Sequence, residues 1–218
     1  DIGWQAVGIA HIRKTHSGLV PVSGNGNFEW ENYIEIIKKP NLFNPEKGYI
    51  ATANQNVTPD DYDRWDVIGY DWADPYRGDR VNSFLESKDK FNMEDMTNLQ
   101  IDYYSIPSKQ IIDMSKDYIT NNLEYFKKLI EWNNILDKDS IEAGIYIEWQ
   151  TQIYYEFMKK FVPESVQEYI YVQIYKIIEG ISKMSVQEKT EFLNKTFDLT
   201  IKSLIEKYGD DSSKWVYG

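Results

Sequence analysis

From about residue 75 onward, apolar positions recur at helical spacing. Val81, Phe84 and Leu85 form an i, i+3, i+4 stripe behind the opening PYRGDR, and a short helix is predicted over Met93 to Ile101. The next helix is predicted over Pro107 to Thr120, with Pro in the first turn, where its missing N–H costs nothing. Another follows over Leu123 to Trp132. Over Ser140 to Val162, the residues Ile141, Ile145, Trp149, Ile153, Phe157 and Phe161 repeat every fourth place, a seam made for burial, and Pro163 stops it. Ser165 to Ser182 is predicted as one further helix, on the stripe Ile170, Ile174, Ile177, Ile178 and Ile181. The last is the best marked. Ser185 and Glu188 have capping-box spacing, Leu193, Phe197, Ile201, Leu204 and Tyr208 line one face, and Gly209 closes it.

The first 74 residues have a different pattern. Residues 1 to 12, DIGWQAVGIAHI, alternate roughly and are predicted as a single strand. Residues 13 to 31 are rich in Gly, Ser, Asn and Pro and read as a long loop, while Trp30 to Lys38 fits a short helix and extended chain equally. Pro40 and Asn44-Pro45 impose turns before a second strand, Gly48 to Ala53, with an acidic, aromatic loop after it. The chain therefore divides into a strand-and-loop segment, 1–74, and a helical segment, 75–218, an α+β arrangement. Two strands alone do not make a stable sheet. Either they lean on the helices, or their sheet partners lie on other sequence, and the second is expected.

Composition narrows the partners. With 35 Asp and Glu against 24 Lys and Arg, the net charge of −11 repels phosphate backbones, so nucleic acid is not an expected partner. There is no cysteine, which removes disulfides, a Cys nucleophile and Cys-based zinc sites. No apolar run approaches the ~20 residues of a spanning helix, so no membrane partner is expected.

Chemistry concentrates in one stretch, from Gly48 through Asn54 to Val81. A strand that ends on Asn54 would fix a carboxamide donor in space, as acyl transfer requires for its oxyanion. An Asn between a strand and an Asp-rich loop also reads as a turn residue. Asp60, Asp61, Asp63, Asp66, Asp71 and Asp74 lack EF-hand spacing. His11 and His16 fit neither a zinc helix nor a triad and read as structural, and Gly24-Asn25-Gly26 reads as a turn.

Blocks in order along the chain carry a resemblance: IGWQAVG, SGLVPVSGNGNFEWENYI, NLFNPEKGYIATANQNVTPDDY, DWADPYRGDRV, EWNN, DSIEAGIYIEW and SSKWVYG. Together they resemble the penicillin acylase (penicillin amidase) family of N-terminal-nucleophile hydrolases. The resemblance implies a four-layer αββα sandwich, of which these strands would be an incomplete part, with a mostly α-helical domain inserted after the Asn-bearing strand. It implies an autoproteolytic precursor, a Ser nucleophile whose α-amine is the general base, and hydrolysis of an amide substrate through an acyl-enzyme. Carried over residue by residue, Asn54 becomes the oxyanion-hole donor. Arg80 becomes an arginine that holds the nucleophile region and Asn54, with Arg77 the neighbour most easily confused with it; by itself Arg80 also reads as a helix-surface arginine paired with Asp79 or Asp74. Asp66 falls where the family supplies one calcium ligand, although by itself it reads more readily as a solvated loop carboxylate. No cofactor is required, and calcium is optional. One departure is visible, because the family reads Ala-Asn-Asn where this chain reads Ala53-Asn54-Gln55, so the second Asn is replaced by Gln55 or moved to Asn56.

The family's nucleophile must be the first residue of its chain, whereas this sequence starts with Asp1. The 218 residues are therefore expected to be an internal part of the β subunit, inert alone. Their partners would be the α subunit and the nucleophile-bearing segment, in an extracytoplasmic location. A reading from another class remains, a non-catalytic acidic helical domain that binds a partner through its unfinished sheet.

Overall fold

The computed structural model describes residues 1–59, 61–69 and 71–218. It is α+β with a helical majority. The chain divides into two compact units, Asp1–Lys90 and Phe91–Gly218. This division falls later than the 74/75 boundary expected from the sequence, and it leaves the first long helix with the strands.

In the first unit, β1 (Gly3–Gln5) pairs antiparallel with β4 (Asn41–Phe43), and β2 (His11–Arg13) with β3 (Trp30–Tyr33), as two separate two-stranded sheets. The single strand expected over 1 to 12 is therefore broken. At Gly8 the backbone turns to φ +88°, and the chain changes partner there. Lys39, a buried residue, donates from Nζ to the carbonyls of Val7 and Gly8, each at 2.9 Å. It thereby satisfies acceptors that neither ladder reaches. Trp30 to Lys38 is divided between both options, with β3 followed by a 3₁₀ turn over Ile36–Lys38.

The strand expected over Gly48 to Ala53 is absent: among the described residues this segment joins no ladder. It runs instead beside α2 (Tyr76–Leu85). Lys47 Nζ donates to Asn82 Oδ1 at 3.3 Å and the Tyr49 hydroxyl to Glu86 at 3.0 Å, so the segment leans on a helix. A four-residue helix, α1 (Trp65–Ile68), interrupts the acidic loop and buries Val67. It is too short to show in a periodicity.

The second unit holds α3 (Met93–Gln100), α4 (Ile106–Ser115), α5 (Leu123–Glu131), α6 (Ile141–Phe161), α7 (Ile174–Ser182) and α8 (Val186–Tyr208). Its core contains most of the expected seam, although Ile141 is half-buried and Phe161 is exposed. Ile145, Trp149 and Ile153 of α6 are fully buried, with Leu193 and Phe197 of α8. Trp149 meets Phe197 and Phe126 edge-on at 5.0 and 5.9 Å, the preferred geometry of ring quadrupoles. Its indole N–H donates to Thr196 Oγ1 at 3.1 Å, so no polar cost remains. The Ser185–Glu188 capping box forms as expected.

Ser165 to Ser182 is not one helix. A 3₁₀ turn, Glu164–Tyr169, swings Gln167 back so that its Nε2 donates to the carbonyls of Met158 and Val162, which end α6. Residues 170–173 then run extended, with Tyr171 stacked on Tyr154 at 5.9 Å, before α7 begins. The aromatic and β-branched run Tyr169-Ile170-Tyr171-Val172 has weak helix propensity, so the capping bonds and the ring stack prevail. No helix among the described residues is long and apolar enough to cross a membrane.

Candidate functional site

Helix α2 is started by Asp74, whose Oδ1 accepts the amide of Tyr76 at 3.1 Å, satisfying one of the orphan donors of the first turn. Burial, reinforced by Asp74 and Asp79, pushes the Tyr76 hydroxyl up to about 12. Burial, then Asp74, also raises the Asp79 carboxyl. The helix start is thus an acidic neighbourhood around a half-buried Tyr76.

Against this turn lies the loop that carries Asn54. Gln55 folds back on its own strand of chain. Its Oε1 accepts the Ala53 amide at 2.6 Å, and its Nε2 donates to the Ala51 carbonyl at 3.4 Å. These side-chain bonds take the place of the missing ladder. The same side chain presses on Gly78, where a Cβ would sit 2.4 Å from Gln55 Cδ. Only glycine lets loop and helix approach so closely. Gln55 therefore has a structural use here. Asn56 turns to its own chain, its Oδ1 accepting the Thr58 amide at 2.9 Å.

Asn54 itself has φ +66°, in the left-handed region that Asn tolerates better than other non-glycine residues. Its side chain is exposed rather than delivered by a buried strand. Arg77 Nη2 donates to Asn54 Oδ1 at 2.9 Å. A guanidinium has donors only, so the atom facing it is the amide oxygen, which fixes the amide's orientation. Among the described residues Asn54 Nδ2 has no acceptor. The outcome is a carboxamide anchored by its oxygen, with N–H groups left to donate.

Arg80, three residues along α2, is half-buried and engaged, but the guanidinium on Asn54 is that of Arg77. Sequence spacing could not choose between them, because positions i and i+3 share a helix face. Asp66 lies in α1 with both carboxylate oxygens taken by Arg64, at 2.9 and 2.8 Å. That fork holds its carboxyl below the ordinary range. Among the described residues no group of three His, Cys, Asp or Glu side chains is placed to hold a metal. Calcium takes six to eight oxygens, of which this chain is expected to give only a part. Asp60 lies outside the described residues. His11 stacks on Trp30 at 4.1 Å, and His16 meets Phe28 edge-on at 6.5 Å.

Comparison with known proteins gives the chain relatives. The family model described as Penicillin amidase matches residues 1–218. The acyl-homoserine lactone acylase QuiP of Pseudomonas fluorescens (strain Pf0-1) is 27% identical over 164 residues, 67% of this chain and 20% of that protein. The penicillin acylase 2 proenzyme of Pseudomonas sp. (strain SE83) is 29% identical over 140 residues, 62% of this chain and 18% of that protein. The chain thus spans about a fifth of the length of such curated relatives. A solved structure, a thermostable penicillin G acylase from Alcaligenes faecalis, matches with TM-score 0.77 and 16% identity, over 98% of this chain and 46% of that one. At that identity the likeness concerns the fold.

Proposed function

The chain belongs to the penicillin amidase family, and from that premise we propose that it supplies the oxyanion-stabilising portion of an amide hydrolase. The relatives named above are acylases, enzymes that split an acyl group from an amine. In the proposed reaction a Ser hydroxyl, borne as the first residue of a segment outside residues 1–218, attacks the amide carbonyl, and its own α-amine takes the proton. The carbonyl oxygen becomes an oxyanion and accepts a hydrogen bond from Asn54 Nδ2. Collapse expels the amine, which leaves with the proton, and water then releases the acid from the acyl-enzyme. Arg80 is assigned to support the same centre on the strength of the family resemblance.

The observation that carries this reading is Asn54, held by its oxygen at a left-handed tip with its N–H groups left over. Donors fixed before reaction cost no reorganisation when charge develops. The substrate class is an acyl amide whose acyl part is separable from its amine, which includes N-acyl-homoserine lactones and penicillins. The α subunit and the Ser-bearing segment are the proposed partners, and an extracytoplasmic location is proposed with them.

The test uses the complete gene product with a chromogenic phenylacetyl amide and an N-acyl-homoserine lactone. Asn54→Ala is expected to lower kcat on the order of 10²–10³-fold with little change in KM. The isolated 218-residue chain is expected to hydrolyse neither. Unchanged kcat in Asn54→Ala would remove Asn54 from the reaction and favour a partner-binding role for the acidic chain.

A further inference from the structure

Where the isoleucine stripe predicts continuous helix, the extended residues 170–173 present a ring instead. Tyr171 stacks on Tyr154 with centroids 5.9 Å apart and planes at 28°, yet it stays 78% exposed. Tyr155, itself 56% exposed, meets Tyr154 nearly at a right angle, 78°, with centroids 5.8 Å apart. Contiguous aromatic surface left in water marks an interaction site.

The rings wall a groove of about 290 Å³, with Ile177 of α7, a fully buried residue, at its base. Gln150, Thr151, Tyr154 and Tyr155 line it from one face of α6. Trp149 and Ile153, fully buried on the same helix, hold that face in place. Two polar groups in the groove are oriented in advance. The buried Tyr146 hydroxyl donates to Gln150 Oε1 at 2.7 Å, so the amide offers Nε2, which has no acceptor among the described residues. The Thr151 hydroxyl spends its proton on the Ile147 carbonyl at 2.9 Å and keeps lone pairs to accept with. None of the lining residues is charged. The cleft where α6 meets α8 differs, being lined by Glu156, Lys159 and Lys195.

These features select a ligand. It is neutral, because the groove holds no countercharge. It lays an apolar face on tyrosine and brings groups that both donate and accept to Gln150 and Thr151. It also keeps much of itself in water. A compact aromatic ligand buries roughly 70–90% of its surface, which a groove walled by so exposed a ring does not provide. A proline-rich peptide offers carbonyls to Gln150 but no proline N–H to Thr151. A pyranose meets every requirement, with C–H groups on its face and hydroxyls around its rim.

We propose that this groove binds a neutral hexopyranose unit of a saccharide, its face on Tyr171 and Tyr154 and its hydroxyls on Gln150 Nε2 and Thr151 Oγ1. The site is separate from the proposed hydrolysis and shares no residue with it.

The test uses the complete gene product, with maltotetraose, cellotetraose and N-acetylchitotetraose as probes in isothermal titration calorimetry and saturation-transfer difference NMR. At least one is expected to bind with Kd on the order of 0.1–1 mM, with saturation passing most strongly to ring C–H protons. Tyr171→Ala is expected to weaken that binding about 5- to 10-fold, while Tyr171→Phe, which keeps the ring, stays within about twofold of the native protein. Thr151→Val, which removes the acceptor, is expected to cost about 3- to 10-fold. Turnover of a chromogenic phenylacetyl amide is expected to be the same in all of these variants, which also shows that they fold. Absence of binding by all three probes at about 10 mM overturns the proposal. So does binding that Tyr171→Ala leaves unchanged, since the sugar then sits elsewhere.

Discussion

The two units of this chain are held together by different physics. In Phe91–Gly218, aromatic and branched side chains fill the space between α6, α5 and α8, with Trp149, Phe126 and Phe197 in mutual contact. In Asp1–Lys90, Ile34 and Val67 are the buried large apolar side chains among the described residues. There the chain is fixed instead by polar side chains that reach backbone groups, Lys39 at Val7 and Gly8, Gln55 at Ala51 and Ala53. The candidate chemistry sits in the polar unit. A packed seam tolerates no misplacement but offers nothing to a substrate, whereas hydrogen-bonded loops present polar groups outward in fixed directions.

The largest expected effect lies in the packed unit. Trp149→Ala should destabilise it by about 3–5 kcal/mol, the usual cost of emptying a large aromatic site, read from urea unfolding followed by far-UV circular dichroism. A loss under about 1 kcal/mol would mean that the seam does not dominate that unit.

A smaller effect is expected from pH. Burial works to raise the Glu156 carboxyl, but Lys159 and Lys195, at 2.8 and 2.6 Å, outweigh it and hold the group below its ordinary value of 4.5. A depressed folded value means that the stabilisation is present above the unfolded value and lost as pH falls through the folded one. Stability should therefore drop below pH 4.5 more steeply in the native protein than in Lys195→Met, as followed by thermal unfolding across pH. Matching profiles would show that Lys195 is not what depresses Glu156.

The smallest effect tests the polar unit. Gly78→Ala places a methyl 2.4 Å from Gln55 Cδ, and the flexible end of Gln55 must move away. The cost should be about 1 kcal/mol, the worth of a lost hydrogen bond. Amide exchange should quicken at Ala53, whose N–H Gln55 now protects, and leave the α6 amides unchanged. Unaltered exchange at Ala53 would place its protection elsewhere.

The same contrast explains what the sequence made legible. Apolar periodicity predicted α3, α5, α6 and α8 to within a residue or two, and the Ser185 cap where it forms, because each of those signals is local, whereas the helix expected to reach Thr120 ends at Ser115. The run over 165–182 misled because a stripe of isoleucines cannot reveal that Gln167 would be drawn back to cap another helix. Gly48 to Ala53 looked like a strand because it is apolar, yet its partners are on α2 and in Gln55, contacts that no alternation encodes. Asn54 was singled out by the family-like block around it. Arg77 was not separable from Arg80, since only the direction of approach of the loop decides which guanidinium it meets.

The positive φ at Asn54 places two demands on one residue type. Glycine would accept the backbone and forfeit the amide. Glutamine would retain an amide but pay roughly 1 kcal/mol or more to enter the left-handed region, and would carry its head group one methylene too far for Arg77. Aspartate would meet the turn and offer oxygens where the proposed oxyanion role needs N–H groups. Asparagine alone answers both requirements, so the shape of the main chain at this tip already restricts which side-chain chemistry can be displayed there.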